Sequence, residues 1–71
     1  MTKQRVVLDS SAIAIATYDS DERTLDLQFC EGNNYRYFNV PQFVFEALRT
    51  AESAGAFWNS VKQNYRYQQL D

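Results

Sequence analysis

The chain of 71 residues contains no histidine and a single cysteine, Cys30. Without histidine it lacks the commonest general base and the usual nitrogen ligand of metal sites. Cys30 has no imidazole to activate it as a nucleophile and no second cysteine with which to form an intramolecular disulfide. Because secreted domains of this size usually need disulfides, the composition predicts a cytoplasmic protein.

Glycine is also scarce, and the two glycines, Gly32 and Gly55, are far apart, so no glycine-rich loop can cradle a phosphate. No apolar run approaches the roughly 18 residues of a membrane span, and the first ten residues do not form a signal peptide. Asp19, Asp21 and Glu22 lie close together, but a calcium loop needs more ligands and a glycine turn, so we interpret them as a solvated turn. We expect no enzyme activity, no cofactor, no metal and no small-molecule substrate.

Large apolar side chains are abundant, since hydrophobic residues make up 45% of the chain and aromatic residues 15%. This content is too high for a disordered chain and predicts one folded domain over residues 1–71. The net charge of −2 is not typical of a dedicated nucleic-acid binder. Acidic residues are concentrated in residues 9–31, however, so a basic face on an acidic protein is compatible with the sequence.

Three segments rich in β-branched and aromatic residues, or with alternating apolar residues, predict strands at Ile13–Tyr18, Thr24–Cys30 and Tyr35–Val40. Arg5–Leu8 is a further short extended segment, and the tail, Asn64–Leu70, could add an edge strand. Strands that precede helices, rather than alternate with them, indicate an α+β fold. We therefore predict a three-stranded antiparallel meander, extended by the chain ends, with two helices on one face.

Two helices are predicted after the strands, and the start of each is marked by a residue typical of helix N-termini, a proline for the first and a serine for the second. Pro41 suits the first position of a helix. The apolar stripe predicted for this helix comprises Phe43, Val44, Ala47, Leu48 and Ala51. Ser53 is a predicted N-cap for a second helix, Ala54–Lys62. Phe57 and Trp58 lie about 100° apart on that helix, so we expect one of them in the core and Trp58 half exposed or packed against the tail.

The register of the central hairpin decides which side chains share a face. A two-residue turn at Gly32 and Asn33 places Leu27 opposite Phe38, with the apolar side chains of both strands toward the helices. A three-residue loop would place Leu27 opposite Asn39 and mix polar with apolar residues, which burial disfavours. In the favoured register Tyr35 and Tyr37 point away from the helices.

Several residues of this hairpin and its surroundings belong to a recognisable pattern. The segment Tyr35-Arg36-Tyr37-Phe38-Asn39-Val40-Pro41 resembles the central motif of the KTSC domain family, found at the C-terminus of some lysyl-tRNA synthetases and in stand-alone small proteins. The similarity extends from about Asp9 to Leu70. It includes Ser10-Ser11, Tyr18-Asp19, Gly55 and Phe57-Trp58-Asn59. The resemblance implies a small domain for which RNA binding has been suggested.

The candidate binding surface combines tyrosines with basic residues. Its members are Tyr35, Arg36, Tyr37, Lys62, Tyr65, Arg66 and Tyr67. In this hypothesis the rings stack RNA bases and the cations hold phosphates, with Arg36 on the helix side near the end of the sheet. The alternatives are that the same tyrosines contact another protein or a second copy in a homodimer, or that the tail covers them and they are purely structural. Asp26 and Gln28 beside the tyrosines favour a protein contact, because a nucleic-acid site calls for a ring of cations.

Overall fold

The sheet has five strands in the order of the chain, and both helices precede its last strand. The computed structural model describes residues 3–70. Its elements are β1 (Lys3–Val7), β2 (Ile13–Asp19), β3 (Thr24–Phe29), β4 (Asn34–Tyr37), α1 (Gln42–Thr50), α2 (Ala54–Val61), a 3₁₀ turn (Lys62–Asn64) and β5 (Tyr67–Gln69). All neighbouring strands are antiparallel, so the sheet is a meander. The α+β prediction is confirmed, and the chain ends supply both edge strands.

The β3–β4 hairpin has a three-residue loop, residues 30–32, and the predicted two-residue turn is wrong. The N–H of Phe29 donates to the carbonyl of Asn33 at 2.9 Å, and Gly32 takes the positive φ, 108°, at the last loop position. Leu27 consequently pairs with Tyr35 rather than with Phe38. Tyr35 therefore lies on the same face as Leu27, which is the face that the helices cover, and so does Tyr37.

A bend after β4 explains why the apolar residues of this segment predicted the wrong face for its tyrosines. The strand ends at Tyr37, and Asn39 then adopts a φ of 57°, which turns the chain toward the helices. Val40 is fully buried, but it reaches the core through this bend and not through strand alternation. Its N–H donates to the carbonyl of Arg23 at 2.9 Å. The sequence-based prediction extended the strand to Val40 and explained the burial of Val40 by strand alternation. It therefore placed Tyr35 and Tyr37 on the wrong face of the sheet.

The core lies between the sheet and the two helices. Its largest fully buried side chains are Trp58, Phe45, Ile13, Leu25, Leu27, Leu48 and Val40. Phe45 of α1 stacks on Tyr18 of β2, with ring centroids 5.2 Å apart. Val44 and Leu48 of the predicted α1 stripe are buried, but Phe43 is wrongly included, because it is 73% exposed and Phe45 is buried in its place. Pro41 precedes the helix as its N-cap residue, with an extended ψ of 152°, and is not its first helical residue.

Helix α2 begins as predicted at Ser53, whose Oγ accepts a hydrogen bond from the N–H of Ala56 at 3.2 Å. Trp58 is 1% exposed and belongs to the core, whereas Phe57 is half-buried. The prediction that placed Trp58 outside the core is therefore wrong, although its ring does stack on Tyr65 of the tail. Neither helix of residues 3–70 has the length and apolar character needed to cross a membrane.

A buried hydrogen bond joins β2 to the bend after β4. The hydroxyl of Tyr18 donates to the carbonyl of Val40 at 2.6 Å. We expect Tyr18→Phe to lower the free energy of unfolding by about 1–2 kcal/mol in urea denaturation, because a buried carbonyl loses its donor. Tyr67→Phe is the matched control, since Tyr67 is largely exposed and its hydroxyl loss should change stability by less than about 0.5 kcal/mol. Equal stability of the two variants would contradict this prediction.

Candidate functional site

An aromatic groove opens on the helix side of the sheet, next to the end of α2. Its volume is about 560 Å³, within the roughly 300–1,000 Å³ of typical ligand sites. The lining residues are Phe29, Glu31, Asn33, Tyr35, Tyr37, Lys62, Gln63, Tyr65 and Tyr67. Strands β3, β4 and β5 supply the rings of the floor, and the 3₁₀ turn and the chain after it supply one wall. The groove exists because α2 is too short to cover the whole of this face.

Six aromatic rings form an unbroken series of contacts through the groove and into the core. Tyr35 meets Phe29 and Tyr67 edge-on, each with ring centroids 5.7 Å apart. Tyr67 also contacts Tyr37 at 5.7 Å, and Tyr37 meets Trp58 edge-on at 4.8 Å. Such aromatic pairs contribute about 0.5–1.5 kcal/mol each beyond the area that they bury. The ring positions are therefore set by the fold before any ligand arrives.

The series ends on a stacked pair, Trp58 and Tyr65, whose planes differ by only 7° at a centroid distance of 5.9 Å. Exposure differs from ring to ring along the groove. Tyr37 is 6% exposed, Tyr35 and Tyr65 are half-buried, and Tyr67 is 63% exposed. The rings that a ligand can reach are therefore those of Tyr35, Tyr65 and Tyr67, while Tyr37 supports them from below.

The polar rim of the groove carries balanced charge. Lys62 and Glu31 contribute one cation and one carboxylate, and Asn33 and Gln63 contribute neutral amides. Such a rim can hydrogen-bond a ligand without attracting a strongly charged one. The groove contains no paired nucleophile and base, and among residues 3–70 no three acidic or cysteine side chains come together as metal ligands. Its distinguishing features are therefore a set of aromatic rings and a mixed polar rim.

Five residues of the predicted binding surface meet in this groove, and they are Tyr35, Tyr37, Lys62, Tyr65 and Tyr67. Arg66 is exposed beside β5 but does not line the groove, and its carbonyl accepts a hydrogen bond from the N–H of Phe38. Phe29, Glu31, Asn33 and Gln63 were not predicted as site residues. The first three lie in the hairpin loop or next to it, and they reach the groove because the loop spans residues 30–32 and not Gly32 and Asn33.

Arg36 lies on the opposite face of the sheet from the groove, and its predicted position on the helix side is wrong. Its Nε and Nη2 donate to the two carboxylate oxygens of Asp26 at 2.8 and 2.9 Å. The hydrogen bond to Asp26, and then the charge of that carboxylate, raise the pKa of Arg36. Because its charge is already paired, this guanidinium is not a free phosphate ligand.

Comparison with known proteins identifies the family. The family model for the KTSC domain matches residues 9–67. An uncharacterized protein of Stutzerimonas stutzeri (strain A1501) is 40% identical over 96% of this chain and 99% of its own length. A lysine–tRNA ligase of Trichormus variabilis is 36% identical over 87% of this chain, which corresponds to 11% of the ligase. The crystal structure of a KTSC domain protein from Yersinia pestis superposes with a TM-score of 0.91, at 32% identity, over 99% of this chain and 100% of the other. The chain therefore belongs to the KTSC domain family.

Proposed function

We propose that this domain is a non-catalytic binding module whose aromatic groove holds unstacked bases of single-stranded RNA. The observation that carries the proposal is the pre-set series of rings, of which Tyr35, Tyr65 and Tyr67 line the groove and are at least partly exposed. Unpaired bases stack on aromatic side chains in this way, each stack contributing about 1–3 kcal/mol. The similarity to a segment of a lysine–tRNA ligase, a protein that by name acts on tRNA, supports RNA as the ligand.

Few cations accompany the rings, and this limits the affinity. Lys62 lines the groove and Arg66 is exposed next to Tyr67, whereas Arg36 is paired on the other face. For single-stranded nucleic acid, the logarithm of the binding constant falls linearly with the logarithm of the salt concentration. The slope is about −0.7 for each phosphate that the protein neutralises. With one or two phosphates contacted, we expect a shallow slope between about −0.7 and −1.4. Binding is thus dominated by stacking and not by charge.

Tyr67 offers the cleanest test of the groove, because it is exposed and its loss should leave the fold intact. We expect Tyr67→Ala to weaken binding of a short, labelled, single-stranded RNA by about 5- to 150-fold at low salt, the equivalent of one lost stack. Fluorescence anisotropy measures this affinity. Phe43→Ala is the matched control, since Phe43 is an equally exposed aromatic side chain on α1 that does not line the groove.

Two results would contradict RNA binding at this groove. One is the absence of any binding by the wild-type domain at low salt. The other is an equal loss of affinity in Phe43→Ala and Tyr67→Ala, which would mean that exposed rings bind RNA without a defined site. Tyr67→Phe should keep most of the affinity, because stacking needs the ring and not its hydroxyl.

A protein segment is the second candidate ligand of the same groove. The rim has both a cation, Lys62, and a carboxylate, Glu31, which suits a zwitterionic peptide better than a polyanion. The groove also adjoins β5, a short and exposed strand at the edge of the sheet, along which an extended chain could pair. If the segment came from a second copy, the sedimentation-derived mass would rise with concentration, and Tyr67→Ala would abolish that rise. A constant monomer mass excludes the homodimer.

A further inference from the structure

Two opposite charges line the aromatic groove, and they come from separate elements. Glu31 belongs to the hairpin loop between β3 and β4, and Lys62 is the first residue of the 3₁₀ turn. The ion pairs of residues 3–70 lie elsewhere, on the opposite face of the sheet and on α1, so neither groove charge has an ion-pair partner among the described residues. Both can therefore bond a ligand without first breaking a contact within the protein.

Hydrogen bonds hold the backbone around both charges. The loop residues on either side of Glu31 each donate an N–H to a carbonyl outside the loop, at 2.8 and 2.9 Å. The N–H of Lys62 donates to the carbonyl of Trp58, and the carbonyl of Lys62 accepts from the N–H of Tyr65 at 3.1 Å. The points from which the two side chains extend are thus set before a ligand binds, which lowers the entropy that binding has to overcome.

A carboxylate at a site for a polyanion is unfavourable unless it bonds to a base. Among the four RNA bases only guanine presents two neighbouring N–H donors, N1–H and the N2 amino group, and one carboxylate can accept from both. The O6 and N7 atoms of guanine are the acceptors that lysine contacts most often. Uracil flanks its one N–H with carbonyl oxygens, and adenine and cytosine set a bare ring nitrogen beside their amino group. Each of these three bases would therefore place an acceptor against the carboxylate.

We propose that the aromatic groove selects guanine among the bases of single-stranded RNA, with Glu31 accepting from N1–H and the N2 amino group and Lys62 donating to O6. This inference rests on the proposed function for the stacking of the base on the rings, and it adds the identity of that base. The amides of Asn33 and Gln63 line the same rim and can bond to either a donor or an acceptor of the base. The charges of the rim then serve the base edge and not the phosphates.

Four labelled RNAs test the selectivity, each a pentauridylate whose central base is guanine, hypoxanthine, adenine or uracil. Hypoxanthine keeps the O6 and N1–H of guanine and lacks only the N2 amino group, so it isolates the second hydrogen bond to the carboxylate. Adenine controls for the stronger stacking of a purine. In fluorescence anisotropy at low salt, we expect the guanine RNA to bind at least about fivefold more tightly than the adenine RNA, the lower end for a bidentate base contact. The hypoxanthine RNA should lie between them.

Glu31→Gln changes affinity in opposite directions for recognition and for simple repulsion. If the carboxylate bonds to guanine, the variant should bind the guanine RNA no better than the wild type binds the hypoxanthine RNA, and its affinity for the adenine RNA should not fall. If Glu31 only repels phosphates, the variant should bind all four RNAs more tightly, which would overturn the inference. Glu52→Gln is the matched control, because it removes the same charge from an exposed residue that does not line the groove, and it should preserve the guanine preference.

The same measurements separate this inference from the proposed function. Equal affinities of the wild type for all four RNAs, each still weakened by Tyr67→Ala, would overturn the guanine selectivity and leave the stacking groove intact. An absence of RNA binding, or binding that Tyr67→Ala does not weaken, would contradict the groove as an RNA site and the selectivity with it. A guanine preference that is lost in Glu31→Gln and kept in Glu52→Gln would support both.

Discussion

Trp58→Ala is expected to leave the domain largely unfolded at 25 °C. The indole is almost completely buried, and it joins α2 both to Tyr37 of the sheet and to Tyr65 of the tail. Truncating a large buried aromatic side chain costs about 3–5 kcal/mol. A single core of this size rarely provides more than about 3–5 kcal/mol of net stability, so the loss consumes nearly all of it. Circular dichroism during thermal and urea denaturation measures the effect.

Trp58→Phe is the informative companion of that variant. It keeps an aromatic ring between Tyr37 and Tyr65 and removes the unpartnered indole N–H, whose burial is unfavourable. We therefore expect a folded domain that is less stable by about 1–2 kcal/mol, the cost of the smaller ring. If alanine and phenylalanine gave the same melting temperature, the packing of this side chain could not be what holds α2 to the sheet.

Gly55→Ala is expected to destabilise the domain even though alanine is the better helix former. The substitution gains about 1 kcal/mol of helix propensity. Against this, the new Cβ would lie 2.8 Å from the Cβ of Ala12, closer than two methyl groups can approach. Overpacking of this kind typically costs about 1–3 kcal/mol, so we expect a net loss of up to about 2 kcal/mol in urea denaturation.

A compensating substitution tests the cause directly. Ala12→Gly removes the methyl group that Gly55→Ala would meet, and Ala12 is exposed, so its own loss should cost little. The double variant should regain most of the lost stability, which gives a coupling free energy of at least about 1 kcal/mol in a double-mutant cycle. Additive effects of the two substitutions would mean that the contact at Ala12 is not the reason for glycine at this position.

The register of one hairpin separates the predicted face of the tyrosines from the observed one. The alternation of Leu25 and Leu27 identified β3 and its buried face correctly, because that signal lies within a single strand. The face of β4 depended on the number of residues in the loop, where a change of one inverts every side chain. Tyrosine gives no help in this choice, since it is stable either in a core or at a surface. The candidate tyrosines therefore do lie together, but on the opposite face of the sheet from the one predicted.

The two helices also show one feature that nearby residues decide and one that a distant partner decides. The serine hydroxyl that begins α2 acts on the N–H of Ala56 three residues away, so sequence alone predicted the cap at Ser53. In α1 several apolar residues are adjacent, and two stripes, one with Phe43 and one with Phe45, fit a helical period equally well. The stack of Phe45 on Tyr18 selects between them, and that partner is far away along the chain.

The sequence by itself determined the α+β class, the order of the elements and the cap of α2. These features follow from interactions between residues close together in the chain. Only the tertiary structure decided that the rings share the face of the helices, that Asp26 pairs with Arg36 on the other side, and that Glu31 and Lys62 both line the groove. Each of these depends on loop length, on the bend at Asn39 and on how far α2 extends over the sheet, which are properties of segments brought together by folding.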